Sequence, residues 1–297
     1  MKKILIIREG ALGDLILTFP VFFSFKKNGY RVFAGGKGIY KNFIEKYGNV
    51  EKFIPLDSSE YLFFFESENT KLKGFLKDFD IIIAYTDEKE IIGENLKKNF
   101  MNKIIFHPVK KEKLNIHITD YLMKPVKEIF NKNLYFSINL NLKNKGEFFL
   151  IHPGSGSKDK NWGKEKFLKL SENLKNVKLL LGPAEENELS FWKRNFKGEI
   201  FFNLDLEDII KIAERTIAYI GNDSGITHLF SITGVKTIAI FGPTSPFIWG
   251  PRGKNVKIVY KNLECSPCVY EKMKNCTDKK CLEEIKVEDI LSFISDG

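Results

Sequence analysis

The chain lacks any run of about 18 uncharged apolar residues, so nothing in it reads as a bilayer-spanning helix, and only peripheral membrane contact stays open. It also lacks a secretory leader: Lys2 and Lys3 open an apolar stretch that Arg8, Glu9 and Asp14 interrupt, and the protein is expected to stay in the cytoplasm. No G-x-x-x-x-G-K-[ST] loop occurs, and the first glycine turn is G-x-x-G-D instead of G-x-G-x-x-G, which argues against a P-loop and a nicotinamide-binding fold. Arginine clusters and basic tracts interleaved with aromatics are absent too. The excess of nine Lys and Arg over Asp and Glu is scattered in stretches such as Lys97-Lys98, which read as solvated faces, not a nucleic-acid groove. That excess still favours anionic partners such as lipid head groups or phosphorylated glycans. Cysteine is scarce: four residues, all between 265 and 281.

What is present is enough apolar material for two cores. The 297 residues are 43% hydrophobic, with 27 phenylalanines read as core packing. Short β-branched runs alternate with helix-length segments: Ile4 to Ile7, Arg31 to Ala34, Lys52 to Pro55, Ile81 to Ala84 and Lys103 to Phe106, then, after the polar stretch Asn139 to Gly146, Phe148 to His152, Val177 to Leu181, Ile200 to Phe202, Ile217 to Ile220 and Thr237 to Phe241. This β-α-β alternation predicts an α/β protein of two Rossmann-like domains, 1–140 and 141–297, whose parallel sheets face a central cleft, with the last helix able to pack back on the first domain. Ligands in such folds bind beyond the carboxyl ends of the strands.

Those strand ends carry the candidate chemistry. After the first comes Arg8-Glu9-Gly10-Ala11-Leu12-Gly13-Asp14, where Asp14 reads equally as a helix cap and as an ionised general base. After the sixth comes Pro153-Gly154-Ser155-Gly156-Ser157-Lys158-Asp159-Lys160, whose small residues, hydroxyls and cations suit a diphosphate. The turn Gly182-Pro183-Ala184-Glu185-Glu186 offers a carboxylate to ribose hydroxyls or, as plausibly, to a helix first turn. Gly221-Asn222-Asp223-Ser224-Gly225-Ile226-Thr227-His228 joins a strand to a helix and reads as an anion site. His228 fits a phosphate contact or a buried structural role. The single D-x-D, Asp78-Phe79-Asp80, precedes a strand and reads as a connection instead of a metal site.

The segments KILIIREGALGDLILTFPV, IHPGSGSKDKNW, LLLGPAEE, GNDSGITHL and FGPTSPFIWGP, in this order over residues 2 to 251, resemble glycosyltransferase family 9, the ADP-heptose to lipopolysaccharide heptosyltransferases. The resemblance implies a GT-B fold with the acceptor on the N-terminal domain and the nucleotide-sugar on the C-terminal one. It implies an inverting, metal-independent transfer of heptose from ADP-heptose to a Kdo-lipid A type acceptor, at the anionic inner face of the inner membrane, with no cofactor needed for catalysis. By motif, Asp14 falls on the catalytic base, with Gly13 on the acceptor side, and Lys160 on the donor phosphate and sugar. Ser155, Ser157, Asp223, Ser224, Gly225 and His228 fall on the donor site, as does Glu186, with Glu185 the less certain neighbour. The family's usual threonine is Ser224 here, and Ile226 and Thr227 replace its usual proline and methionine. Two rival readings remain: a sugar-nucleotide epimerase on the same plan, and a non-catalytic nucleotide-sugar or glycan-binding protein.

The cysteines follow C-x2-C-x7-C-x4-C. Cys265, Cys268, Cys276 and Cys281 could close a structural zinc site, form disulfides or stay as free thiols.

Overall fold

The protein is described here by a computed structural model covering residues 1–67, 69–109, 114–132, 134, 138–268 and 270–295. It divides into two units, Met1–Ile138 and Asn139–Gly297. In the first, β1 (Lys3–Ile7), β2 (Arg31–Gly36), β3 (Lys52–Pro55), β4 (Ile81–Ala84) and β5 (Lys103–Phe106) form a sheet of order β3-β2-β1-β4-β5. Every pairing is parallel, with Ile4 opposite both Val32 and Ile81. Ile4 to Ile7 and Ile82 to Ala84 are buried, as continuous apolar strands covered on both faces must be. One cover is the helix Leu12–Lys27, buried nearly all round despite Pro20, with Phe19 stacked on Phe43 at 5.9 Å between centroids.

The second unit holds β6 (Phe148–His152), β7 (Val177–Leu181), β8 (Ile200–Phe202), β9 (Thr216–Asn222), β10 (Lys236–Phe241) and β11 (Val256–Tyr260), all parallel in the order β11-β10-β9-β6-β7-β8. β11 is the strand that the apolar pattern did not predict. It lies at the sheet edge with Lys257 and Ile258 exposed, so it has no continuous apolar run. The stretch from Asn139 to Gly146 is tied along this unit and is no free tether: Leu140 N donates to Ile232 O (2.7 Å) and Asn144 Nδ2 to Thr216 O (2.8 Å). The final helix, Val287–Ser295, packs on the helix Lys164–Glu172 and on β11.

Each sheet reverses its winding once, between β1 and β4 in the first unit and between β6 and β9 in the second. Loops leaving neighbouring strands at such a point run to opposite sides and leave a crevice. Three of the segments singled out for catalysis and donor binding leave β1, β6 and β9, at these points. Asp78 and Asp80 sit at the other end of the first sheet, where Lys3 N donates to Asp80 Oδ2 (2.7 Å) and Lys3 Nζ pairs with Asp78 (3.8 Å). Among the described residues no helix is long and apolar enough to cross a membrane.

Candidate active site

On the first unit the carboxyl edge gathers Arg8, Asp14, Tyr85 and His107. Arg8 N continues the ladder to Gly35 O (2.9 Å), Tyr85 N to Ile7 O (3.0 Å) and His107 N to Ala84 O (2.8 Å), so each side chain leaves from a fixed strand end. Asp14 stands in the first turn of the helix Leu12–Lys27, beside the buried Gly13. Its Oδ2 accepts from Ala11 N (3.0 Å) and its Oδ1 from Arg8 Nη2 (3.0 Å). The capping role anticipated for Asp14 is therefore real, and a buried cation is added to it. A side chain at Gly10 would put Cβ 2.7 Å from Asp14 Oδ2, so glycine there is what lets the carboxylate close over the turn.

The second unit builds a denser constellation. Lys160 Nζ meets Asp223 Oδ2 at 3.1 Å, and Thr244 Oγ1 donates to the same oxygen at 2.7 Å, which draws together the loops after β6, β9 and β10. Asp223 is nearly buried, and Lys160 keeps a fifth of its side chain exposed. Asn222 locks the first two loops: its Nδ2 donates to Pro153 O (2.6 Å), and its Oδ1 accepts from Trp162 N (3.0 Å). The hydroxyls expected on phosphate are turned into the chain. The Ser155 hydroxyl lies 2.6 Å from Asn161 Oδ1 and 2.7 Å from Ser157 O, sharing its one proton between them, Ser157 Oγ accepts from Asp159 N (3.4 Å), and Ser224 Oγ caps Thr227 N (3.2 Å). They shape the loops that present Gly154, Gly156 and Gly225. His228 is buried in the short helix Gly225–Ser231.

Of the acidic pair after β7, Glu185 is buried and Glu186 exposed. Glu185 Oε2 accepts from Gly182 N (2.8 Å), and a Cβ on Gly154 would lie 2.1 Å from its Oε1, so this carboxylate abuts the small-residue loop. Burial holds its pKa above the usual carboxylate range.

Beneath the loop lies a buried polar chain that the motifs did not signal. His152 Nδ1 contacts Tyr219 Oη (3.1 Å), which contacts Thr227 Oγ1 (3.0 Å), which in turn donates to Asn222 O. Gly221 is required here, because a Cβ would fall 2.3 Å from Tyr219 Oη. Burial lowers the His152 pKa from 6.5 to about 4. The unfolded chain then binds a proton that the folded one refuses, so this residue's stability contribution is present above about pH 6.5 and is lost as pH falls toward 4. The loss is about 3 kcal/mol by linkage. Urea unfolding from pH 7 to 4.5 should show a shallower pH slope for His152→Gln than for the wild type; an equally steep slope would contradict the buried neutral imidazole.

The four cysteines, whose spacing left zinc, disulfides and free thiols open, form no disulfide in this structure. All four are free, and among the described residues no group of three or more metal-ligating side chains could hold an ion. Cys281 joins the apolar core, where burial first and the other three thiols second push it up to about 11, and Cys265 is exposed. This region braces the loops after β6 and β10. Cys268 N donates to Pro243 O (2.7 Å), Ser266 Oγ to Gly242 O (2.6 Å) and Lys279 Nζ to Asp159 Oδ1 (3.0 Å).

Residues 109–279 match glycosyltransferase family 9 (heptosyltransferase). Lipooligosaccharide heptosyltransferase 2 of Campylobacter jejuni is 26% identical over 95% of this chain and 95% of its own length. Among solved structures, a glycosyl transferase family 9 protein of Veillonella parvula superposes with a TM-score of 0.76 at 17% identity, over 99% of this chain and 96% of that one. Heptosyltransferase WaaC of E. coli, solved with ADP, superposes with a TM-score of 0.67 at 16% identity, over 99% of both chains. The α/β architecture shared with them, two parallel-sheet Rossmann-like units in one chain, is the GT-B fold. Because the family match spans more than half of the sequence, the chain belongs to glycosyltransferase family 9, the heptosyltransferases.

Proposed function

We propose that this enzyme transfers heptose from ADP-heptose to the Kdo/heptose inner core of lipopolysaccharide, with inversion and without a metal ion. The observation that carries the reading is the Lys160–Asp223–Thr244 cluster at the winding reversal of the second sheet, where one cation and one orienting carboxylate stand beside glycine-rich backbone. A diphosphate bound there draws Lys160 Nζ to its oxygens, and Asp223 is left to hold sugar hydroxyls. Loop amides add donors for the negative charge that grows on the departing ADP, so cationic and dipolar groups do the work of a divalent ion. We assign the ribose to Glu185 ahead of Glu186, because its carboxylate lies against Gly154. His228 is assigned to the wall of the donor site.

On the first unit, Asp14 takes the proton of the acceptor hydroxyl as that oxygen attacks the anomeric carbon, while Gly13 leaves the approach clear. The names of the relatives support the substrate class, and the ADP in the WaaC structure supports the nucleotide. A chain with nine surplus positive charges suits an anionic acceptor at the inner face of the inner membrane. The test is an ADP-release assay with ADP-heptose, with and without Kdo-lipid A. ADP should appear only with acceptor and at the same rate in EDTA. Release without acceptor would refute transfer, and activity lost to EDTA and restored by magnesium would refute metal independence.

A further inference from the structure

We infer that Arg8 is a positioning residue for Asp14, a role that rests on the reading of Asp14 as the base. Arg8 is 6% exposed, at the end of β1. Its backbone is fixed by the bond from its N to Gly35 O, and its carbonyl is packed so tightly on β2 that a Cβ on Gly36 would lie 2.8 Å away. From that anchor the guanidinium reaches Asp14 Oδ1 at 3.0 Å and lies 6.0 Å from the centre of the Tyr85 ring. Tyr85 is itself held, with its hydroxyl donating to Leu122 O (2.6 Å).

A capping aspartate needs none of this. The bond from Ala11 N to Oδ2 satisfies the helix end, whereas burying a guanidinium carries a desolvation cost that a surface cap never incurs. Arg8 is not there only to complete a structural network either: its Nε is buried with no hydrogen-bond partner among the described residues. What the pair achieves is geometry. One N–H on each carboxylate oxygen fixes the plane of Asp14 and leaves each oxygen a second lone pair, and the side chain stays 22% exposed. An acceptor hydroxyl therefore meets an oriented, anionic oxygen.

In the transfer step the hydroxyl proton moves to Asp14, the acceptor oxygen bonds to the anomeric carbon, and the carbon–oxygen bond to the diphosphate breaks with its electron pair leaving on ADP. Arg8 keeps its protons throughout and acts only by holding Asp14.

The test is a double-mutant cycle on the full-length protein, with ADP binding as the check on folding. Arg8→Met should lower kcat by about 10²-fold, the scale of a base displaced by an ångström, with donor KM changed by less than about threefold. Arg8→Lys should recover most of that loss. In an Asp14→Asn background, Arg8→Met should cost little more, since nothing remains to be positioned. Wild-type kcat in Arg8→Met, or its full loss repeated on top of Asp14→Asn, would overturn the role. Asp14→Asn turning over at the wild-type rate is a different failure, which removes the base assignment itself. Should Arg8→Met fail to bind ADP, Arg8→Gln carries the same comparison.

Discussion

Asp14→Asn is expected to lower kcat by about 10²–10⁴-fold, the range supplied by a positioned general base. The amide is isosteric, but its single oxygen can accept from Arg8 or from Ala11 N and not from both, so one of the two bonds is given up. It also loses the ability to take a proton. Donor affinity should hold, because the groups assigned to ADP-heptose belong to the second unit, around Lys160 and Asp223. The check is steady-state kinetics combined with calorimetric titration by ADP. A variant that binds ADP and turns over within about threefold of the wild type would remove Asp14 from the mechanism.

Lys160→Met should be comparably severe, with kcat reduced by about 10²–10³-fold, the usual consequence of deleting one group that stabilises transition-state charge. Methionine keeps most of the stem and removes the cation. Two losses then coincide. The diphosphate loses its cation as the bond breaks, and Asp223, nearly buried, keeps only the Thr244 hydroxyl on Oδ2. Because a buried carboxylate without its cation is costly, a fall in thermal stability should accompany the fall in rate. Lys160→Arg separates the two effects, since it restores charge to Asp223 but places it differently on the phosphate. Melting temperature and kcat measured on both variants decide the matter: Lys160→Met with wild-type kcat would show that the lysine serves only the ion pair.

Among the described residues, ten of the eleven strands could be read from the sequence, the central ones because they are apolar on both faces, as in Ile4 to Ile7 and Ile238 to Phe241. The strand β11 escaped because Lys257, exposed at the sheet edge, interrupts its apolar run. Motif spacing singled out Asp14, Lys160 and Asp223, which follow strands at the winding reversals, Asp14 in the first turn of a helix and the other two on loops. It did not reach their partners. Thr244 meets Asp223 across 21 residues, and Arg8 meets Asp14 only because a strand end and a helix start converge. Glu185 and Glu186 are the same residue type side by side; the direction of the turn, and a Gly154 with no side chain, decide which one is turned inward. Spacing along a chain also did not reveal that Cys281 joins an apolar core. His152, Tyr219 and Thr227 gave no signal, since a buried polar chain depends on contacts between three separate elements.

The central claim is a group transfer, and the most direct measurement is the mass of the acceptor after reaction. With purified enzyme, ADP-heptose and Kdo-lipid A, the account predicts an acceptor heavier by one heptose residue for each ADP released. An acceptor of unchanged mass, with ADP-heptose either intact or converted to a different sugar nucleotide, would contradict it.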